Sequence, residues 1–270
     1  MHHIYVIRNG GSDHQIAPSK KVDIHGDKGI VKGVFGWPAI HTRAGEKEEA
    51  PTQKNIFIDC GCTSKSEVEA LGIHVGSVIT YEDTFMILND RYYVGGYMIA
   101  QVARLLKEEK VTLPFGLYIV NAVQEEIGLR GAEMIARKIK PNVAIVTDVT
   151  HDTSTPMINK QVQGDTKCGL GPVVSYGPAV QMNLNQLIID TAAKNSIEIQ
   201  RNACSRSTGT DTDAFAYSND GTPSALISLP LRYMHTTVEM VHKEDVDQVI
   251  KLIFHTLQNI KNNHDFRYIK

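Results

Sequence analysis

Val143-Ala144-Ile145-Val146-Thr147, followed at once by Asp148, is the stretch whose reading decides the fold. A run of apolar and β-branched residues without polar alternation describes a strand covered on both faces. Upstream, residues 128–139 have helical spacing and stop at Lys140-Pro141, because a proline disfavours the helical conformation of the residue before it. Before that helix, Phe115-Gly116-Leu117-Tyr118-Ile119-Val120-Asn121-Ala122-Val123 is another nearly continuous apolar run, and it predicts another buried strand. Earlier still, residues 96–110 predict an amphipathic helix with Ile99, Val102, Ala103 and Leu106 on one face.

Downstream, residues 184–194 predict a helix followed by Ile197-Glu198-Ile199-Gln200. Residues 224–229 predict a strand, and residues 243–260 a long closing helix with Asp245 in its first turn. Strands alternating with helices imply an α/β domain around a mostly parallel, covered sheet.

Residues 1 to about 83 have a different texture. Short runs such as Ile4-Tyr5-Val6-Ile7, Lys21-Val22-Asp23-Ile24 and Ile56-Phe57-Ile58 are separated by Gly and Asp/Asn turn signals. They predict a small β-barrel or sandwich. Ser64 with Glu67 forms a capping-box pattern for a short helix over 64–71, and the charged, aperiodic stretch 41–54 reads as a surface loop. The expected division is therefore 1–83 as a β-barrel domain and 84–270 as an α/β domain.

Composition narrows the function classes. With 28 Lys and Arg against 30 Asp and Glu there is no basic footprint for nucleic acid. No apolar run approaches the roughly 20 residues that cross a bilayer, and the first residues lack the shape of a signal peptide. Cys60, Cys62, Cys168 and Cys204 are scattered, and Cys60-Gly61-Cys62 is too tight for an ordinary disulfide, so a reducing cytoplasm is expected.

The chemistry stands just past three of these strands, where open α/β sheets place ligands. Gln124-Glu125-Glu126-Ile127-Gly128 puts two carboxylates after the first apolar run, and Asp148 follows the second. His235 ends Pro230-Leu231-Arg232-Tyr233-Met234-His235, after the third. Taken singly, the acids could be solvated turn or helix N-terminal charges, and the histidine a structural one. Together they offer oxygen and nitrogen ligands suited to zinc, cobalt or manganese, with one carboxylate to spare as a base. No Gly-x-Ser-x-Gly elbow accompanies them, so serine hydrolysis is unsupported.

Residues 124–132, Gln-Glu-Glu-Ile-Gly-Leu-Arg-Gly-Ala, resemble the active-site motif of the tetrahedral, or TET-type, metalloaminopeptidases. That family includes glutamyl and deblocking aminopeptidases, and some members have been labelled endoglucanases. Thr147-Asp148-Val149-Thr150 is similar to its second ligand motif. Gly209-Thr210-Asp211, followed by Asp213-Ala214, is similar to its glycine-threonine-aspartate loop. Residues 230–235 are similar to its last ligand motif, and the order and separations of the four agree.

The resemblance implies a zinc-peptidase-like α/β/α catalytic domain with an inserted small β-barrel domain. It implies Glu125 as general base and Glu126, Asp148 and His235 as ligands of two divalent ions, zinc or cobalt. It also implies peptide substrates cleaved at the N-terminus, and a homo-oligomer, a dodecamer built from dimers.

Two family features have no counterpart. One is a histidine-x-aspartate-glutamate segment before the barrel. The other is an aspartate-x-arginine-x-glycine motif, whose aspartate bridges the metals. In Asn89-Asp90-Arg91 the register fails, because Val94 stands where glycine would. A site without its bridge is expected to hold metal poorly. Either residues are omitted near Gly95-Gly96, or the chain is a truncated, non-catalytic paralogue keeping the fold. Retention of Glu125, Glu126, Asp148 and His235 favours omission. A glucanase would be expected to offer aromatic platforms to sugars, and Trp37 is the only tryptophan.

Overall fold

The structure, a computed structural model, describes residues 3–43, 50–82, 84–94 and 99–268. The chain divides into two compact units, Met1–Thr84 with His235–Thr237, and Phe85–Met234 with Val238–Lys270.

In the first unit, β1 (Lys21–Gly26) and β2 (Gly29–Gly36) form an antiparallel hairpin with Gly26 opposite Gly29. After them come α1 (Ile40–Arg43), β3 (Phe57–Asp59), α2 (Lys65–Ala70) and β4 (Val78–Tyr81). Side chains alternate across a strand. Val22 and Ile24 therefore both face a core that also holds Phe35, Ile58, Val68 and Ile73. At α2, Ser64 Oγ accepts from the Glu67 N–H as the capping pattern predicts. The Glu67 carboxylate reaches back one residue further than expected, to the N–H and hydroxyl of Thr63.

The sheet runs β3-β2-β1-β4 and is open, which overturns the expected β-barrel. Closure would need a ladder between β3 and β4, and none exists among the described residues. Ile58 of β3 pairs with Phe35 on one side and with Ile4 on the other, so the edge a closing strand would use is taken. Four short strands also fall well below the roughly eight of a filled small barrel. Of the predicted loop 41–54, the first residues lie in α1, and 44–49 fall outside the described residues.

The second unit begins with β5 (Met86–Leu88), β6 (Tyr92–Val94) and α3 (Ile99–Glu108). The Gly95-Gly96 junction lies outside the described residues. Then come α4 (Arg130–Ile139), β7 (Ala144–His151), α5 (Lys160–Gln163), β8 (Val173–Tyr176) and α6 (Met182–Lys194). The rest is β9 (Gln200–Ala203), α7 (Asp211–Ala216), β10 (Ser224–Arg232), β11 (Met240–His242) and α8 (Lys243–Asn259).

Strand β10 is the spine of the sheet. It is buried from Ser224 to Leu231 and pairs parallel with β7 and antiparallel with β8 and β11. The sheet is therefore mixed rather than mostly parallel. Ala225, Ile227, Leu229 and Leu231 share one core with Leu184 and Ile188 of α6 and Val246 and Val249 of α8. The alternate face, carrying Leu226 and Ser228, is covered by α7, which packs on β7, β10 and α4.

The apolar run 115–123 forms no strand. Leu117, Tyr118, Ile119 and Val123 are exposed, and no described segment makes a ladder with this stretch. An apolar run reports the capacity for burial, and a strand also needs a partner for its backbone groups.

Two buried carboxylates fasten the loops at the end of the sheet. Asp245, in the first turn of α8, accepts from the N–H groups of Gly169 (2.7 Å) and Gly171 (2.8 Å). Asp152, fully buried, accepts from Arg232 Nε at 2.7 Å and from the N–H groups of Ser154 and Cys168. The Arg232 guanidinium also lies 4.9 Å from the centroid of the Tyr92 ring. Burial alone would raise the Asp152 carboxyl, but the Ser154 hydroxyl, Arg232 and the two N–H groups outweigh it and hold it at about 2. A carboxylate depressed in this way contributes stability above its ordinary range near roughly pH 4, and the contribution is lost as the pH falls through the folded value. Arg232→Met should cost about 3 kcal/mol at neutral pH, the low end for breaking a buried pair because Arg232 is partly solvated. Urea unfolding at neutral pH should show the loss, and the difference from wild type should shrink as Asp152 takes up a proton in acid. An unchanged midpoint would count against the pair.

Candidate active site

Glu125 and Glu126 sit in a single tight turn, Glu125–Ile127, which opens at Gln124 and closes at Gly128. The backbone around it is strained. Gln124 (φ 61°) and Leu129 (φ 60°) are both left-handed, a conformation that non-glycine residues rarely adopt. Such outliers persist where the surroundings over-determine them, and they gather at functional sites. Here the surrounding structure is α4. The Gly131 N–H donates to the Val123 carbonyl at 3.0 Å, and a Cβ on Gly131 would lie 2.4 Å from that oxygen. Only glycine lets the helix approach the strand-like segment closely enough to fold the two carboxylates over in one turn.

Asp148 lies inside β7, which runs three residues beyond it to His151, so the strand does not end there as its sequence suggests. It stands opposite Ser228 of β10 and so shares the sheet face covered by α7. One carboxylate oxygen accepts from the Val149 N–H at 2.7 Å. Burial, with repulsion from Glu126, raises its carboxyl above the ordinary range despite that bond. Asp211, the first residue of α7, is likewise raised by burial and by Asp148. Its Oδ1 is buried without a hydrogen-bond partner.

Asp148 thus meets like charge from two sides, from Glu126 and from Asp211. Sequence reasoning had placed Asp211 in the glycine-threonine-aspartate loop but gave it no role; that loop was the signal pointing to it.

His235 is grouped with the first unit. Its ring Nδ1 lies 2.9 Å from the Gly11 carbonyl, an acceptor only, so Nδ1 carries the proton and the lone pair is on Nε2. This is the tautomer in which metal-bound histidines are commonly held. Both Tyr233 (φ 61°) and His235 (φ 63°) are left-handed.

Among the described residues, no group of three or more His, Cys, Asp or Glu side chains is arranged to enclose a metal ion. The donor set nonetheless fits a divalent cation. Like charges are held together in partial burial, and one buried oxygen has no donor. A cation would remove both costs.

The profile of the M42 glutamyl aminopeptidase family matches residues 3–252. A lysyl aminopeptidase of Pyrococcus furiosus is 31% identical over 96% of this chain and 76% of its own length. The TET aminopeptidase from a marine sediment Thaumarchaeota archaeon superposes with a TM-score of 0.84 at 26% identity, over 94% of this chain and 74% of that one. The TET1 peptidase of Pyrococcus horikoshii, which can assemble into a tetrahedron or a large octahedral shell, gives 0.78 at 25% identity, over 94% and 76%. The chain belongs to the M42 family, whose members share a dual-metal active site. It is a metal-dependent aminopeptidase, a hydrolase of N-terminal peptide bonds.

Gly131→Ala tests how the Glu125–Glu126 turn is held. The added methyl cannot coexist with the Val123 carbonyl, so the turn must shift. The expected result is a stability loss of about 1–3 kcal/mol, typical of overpacking, together with a clear fall in turnover. Wild-type turnover and stability would show that α4 does not set the turn.

Proposed function

We propose that Glu125 is the general base of peptide hydrolysis and that Glu126, Asp148 and His235 are the side chains from this chain that hold two divalent ions, zinc or cobalt. The observation that supports the proposal is the repulsion of Asp148 by Glu126 and of Asp211 by Asp148, beside a buried Asp211 oxygen with no donor. Bound divalent ions would polarise the scissile carbonyl and acidify a water molecule.

The chain's own residues divide the remaining work. Glu126 and Asp148 supply one carboxylate each, and His235 offers Nε2 while Gly11 fixes its ring. Glu125, next to a ligand but not itself one, takes the water's proton and returns it to the departing amine.

The substrates we assign are peptides with a free N-terminus. The enzyme is assigned to the cytoplasm, a location supported by four free cysteines. No described helix is long and apolar enough to cross a membrane. We further propose a homo-oligomer, a dodecamer built from dimers, in keeping with the assemblies of the Pyrococcus horikoshii relative. In it, residues 84–270 would form the catalytic domain, and the open-sheet region 1–83 would contribute to dimer contacts.

Glu125→Gln keeps size and hydrogen bonding but cannot accept a proton. The metal-replete variant is expected to retain metal and lose at least about a hundredfold in kcat on an aminoacyl reporter. Near-normal kcat would remove Glu125 from the role. For the assembly, light scattering at micromolar concentration with zinc present should give a mass several times that of one chain, and a monomer alone would contradict it.

A further inference from the structure

Arg130 opens α4 directly behind the turn that carries Glu125 and Glu126. Side chains of a helix lean toward its N-terminus, so a long one at the first position falls over the residues that precede the helix. Here it falls over Gly128. A Cβ on Gly128 would lie 3.2 Å from Arg130 Nε, 3.3 Å from Nη2 and 3.4 Å from Cζ. All three atoms belong to the guanidinium, so this flat group takes the place that a side chain at 128 would fill.

The turn needs holding. Gln124, Gly128 and Leu129 all have left-handed backbones, and at Gln124 and Leu129 that conformation is a cost. The N–H groups of residues 128–131 donate to the carbonyls of Val123, Gln124 and Glu125, which closes the turn along its backbone. Gly128 has no side chain to pack it, and Arg130 supplies that packing from two residues away. Its own helix does not account for this placement. The ion pair of Arg130 with Glu133 spans 4.0 Å between exposed groups, and the other Glu133 oxygen is engaged by Arg137 at 2.6 Å. An exposed pair of that length contributes little.

We infer, resting on the reading of Glu125 as general base, that Arg130 is a positioning residue for peptide hydrolysis. Its guanidinium lies over Gly128, keeps the turn in its strained form and thereby sets where the Glu125 carboxylate stands. It acts through the turn and touches neither the substrate nor the reacting water. The flat guanidinium suits this place, and an ammonium on a flexible stem fills it only in part. Because the side chain is exposed, its removal should loosen the turn without unfolding the protein.

The test compares wild type, Arg130→Ala, Arg130→Lys and Glu125→Gln by steady-state kinetics on an aminoacyl reporter with excess zinc, and by amide hydrogen exchange of the metal-free proteins. Arg130→Ala is expected to lose at least about tenfold in kcat with KM within about twofold of wild type, as misplacement of a catalytic group does. The amides of Leu129 and Gly131 should exchange at least about threefold faster, while those of β10 keep their wild-type protection. Arg130→Lys should recover part of both. The inference is overturned if Arg130→Ala keeps wild-type kcat, if its loss is confined to KM, if exchange at Leu129 and Gly131 is unchanged, or if Arg130→Lys is no better than Arg130→Ala. Faster exchange in β10 as well, or failure of both variants to fold, would overturn it too, since Arg130 would then support the fold as a whole. If Glu125→Gln keeps wild-type kcat, the reading of Glu125 as base fails and this inference fails with it. Loss of turnover in Glu125→Gln with none in Arg130→Ala defeats this inference alone.

Discussion

The parallel pairing of β7 with β10, from Ala144 opposite Ser224 to His151 opposite Leu231, is the constraint on which the rest of the site depends. Register in a sheet decides which face each side chain takes, and a slip of one residue would send Asp148 to the opposite face. The pairing is held because β10 is buried on both faces and because Asp152 ties the ends of the two strands. The Asp152 N–H bonds to the Leu231 carbonyl, and its carboxylate to Arg232. From that fixed pair, Asp148 is presented toward α7, and the chain continues through Arg232 into the left-handed turn that carries His235.

Close approach performs for Glu125 and Glu126 what register performs for Asp148. Gly131 allows α4 to sit against Val123, and the two left-handed residues flanking the turn are a conformational cost borne at this point. Glu126, so placed, raises the carboxyl of Asp148, which is a cost in a purely structural cluster. A cation held among such carboxylates would offset that repulsion.

Much of this was legible in the sequence, for identifiable reasons. The β1–β2 hairpin, the Ser64 cap, β10 and α8 follow local rules, so alternation, capping residues and apolar runs were enough to find them. Glu125, Glu126, Asp148 and His235 stand out as candidates because acids and a histidine after apolar runs are chemically conspicuous. The closed barrel was not borne out, since closure depends on which edge Ile4 occupies, and alternation does not report that. Residues 115–123 read as a strand because their composition is that of one, but pairing is a long-range property. Asp211 escaped assignment for the same reason. Its carboxyl is raised by burial and by Asp148, on the strand against which α7 packs, and no local pattern encodes that packing.

The central claim is that the carboxylates of Glu126 and Asp148 are metal ligands rather than a buried acidic turn. Anomalous diffraction at the zinc edge, from crystals of the protein equilibrated with excess zinc, tests it most directly. Zinc density on the Glu126 and Asp148 carboxylates, with His235 Nε2 as a further ligand, is the expected result. Crystals that show no zinc on these side chains, or zinc only at exposed surface histidines, would contradict it.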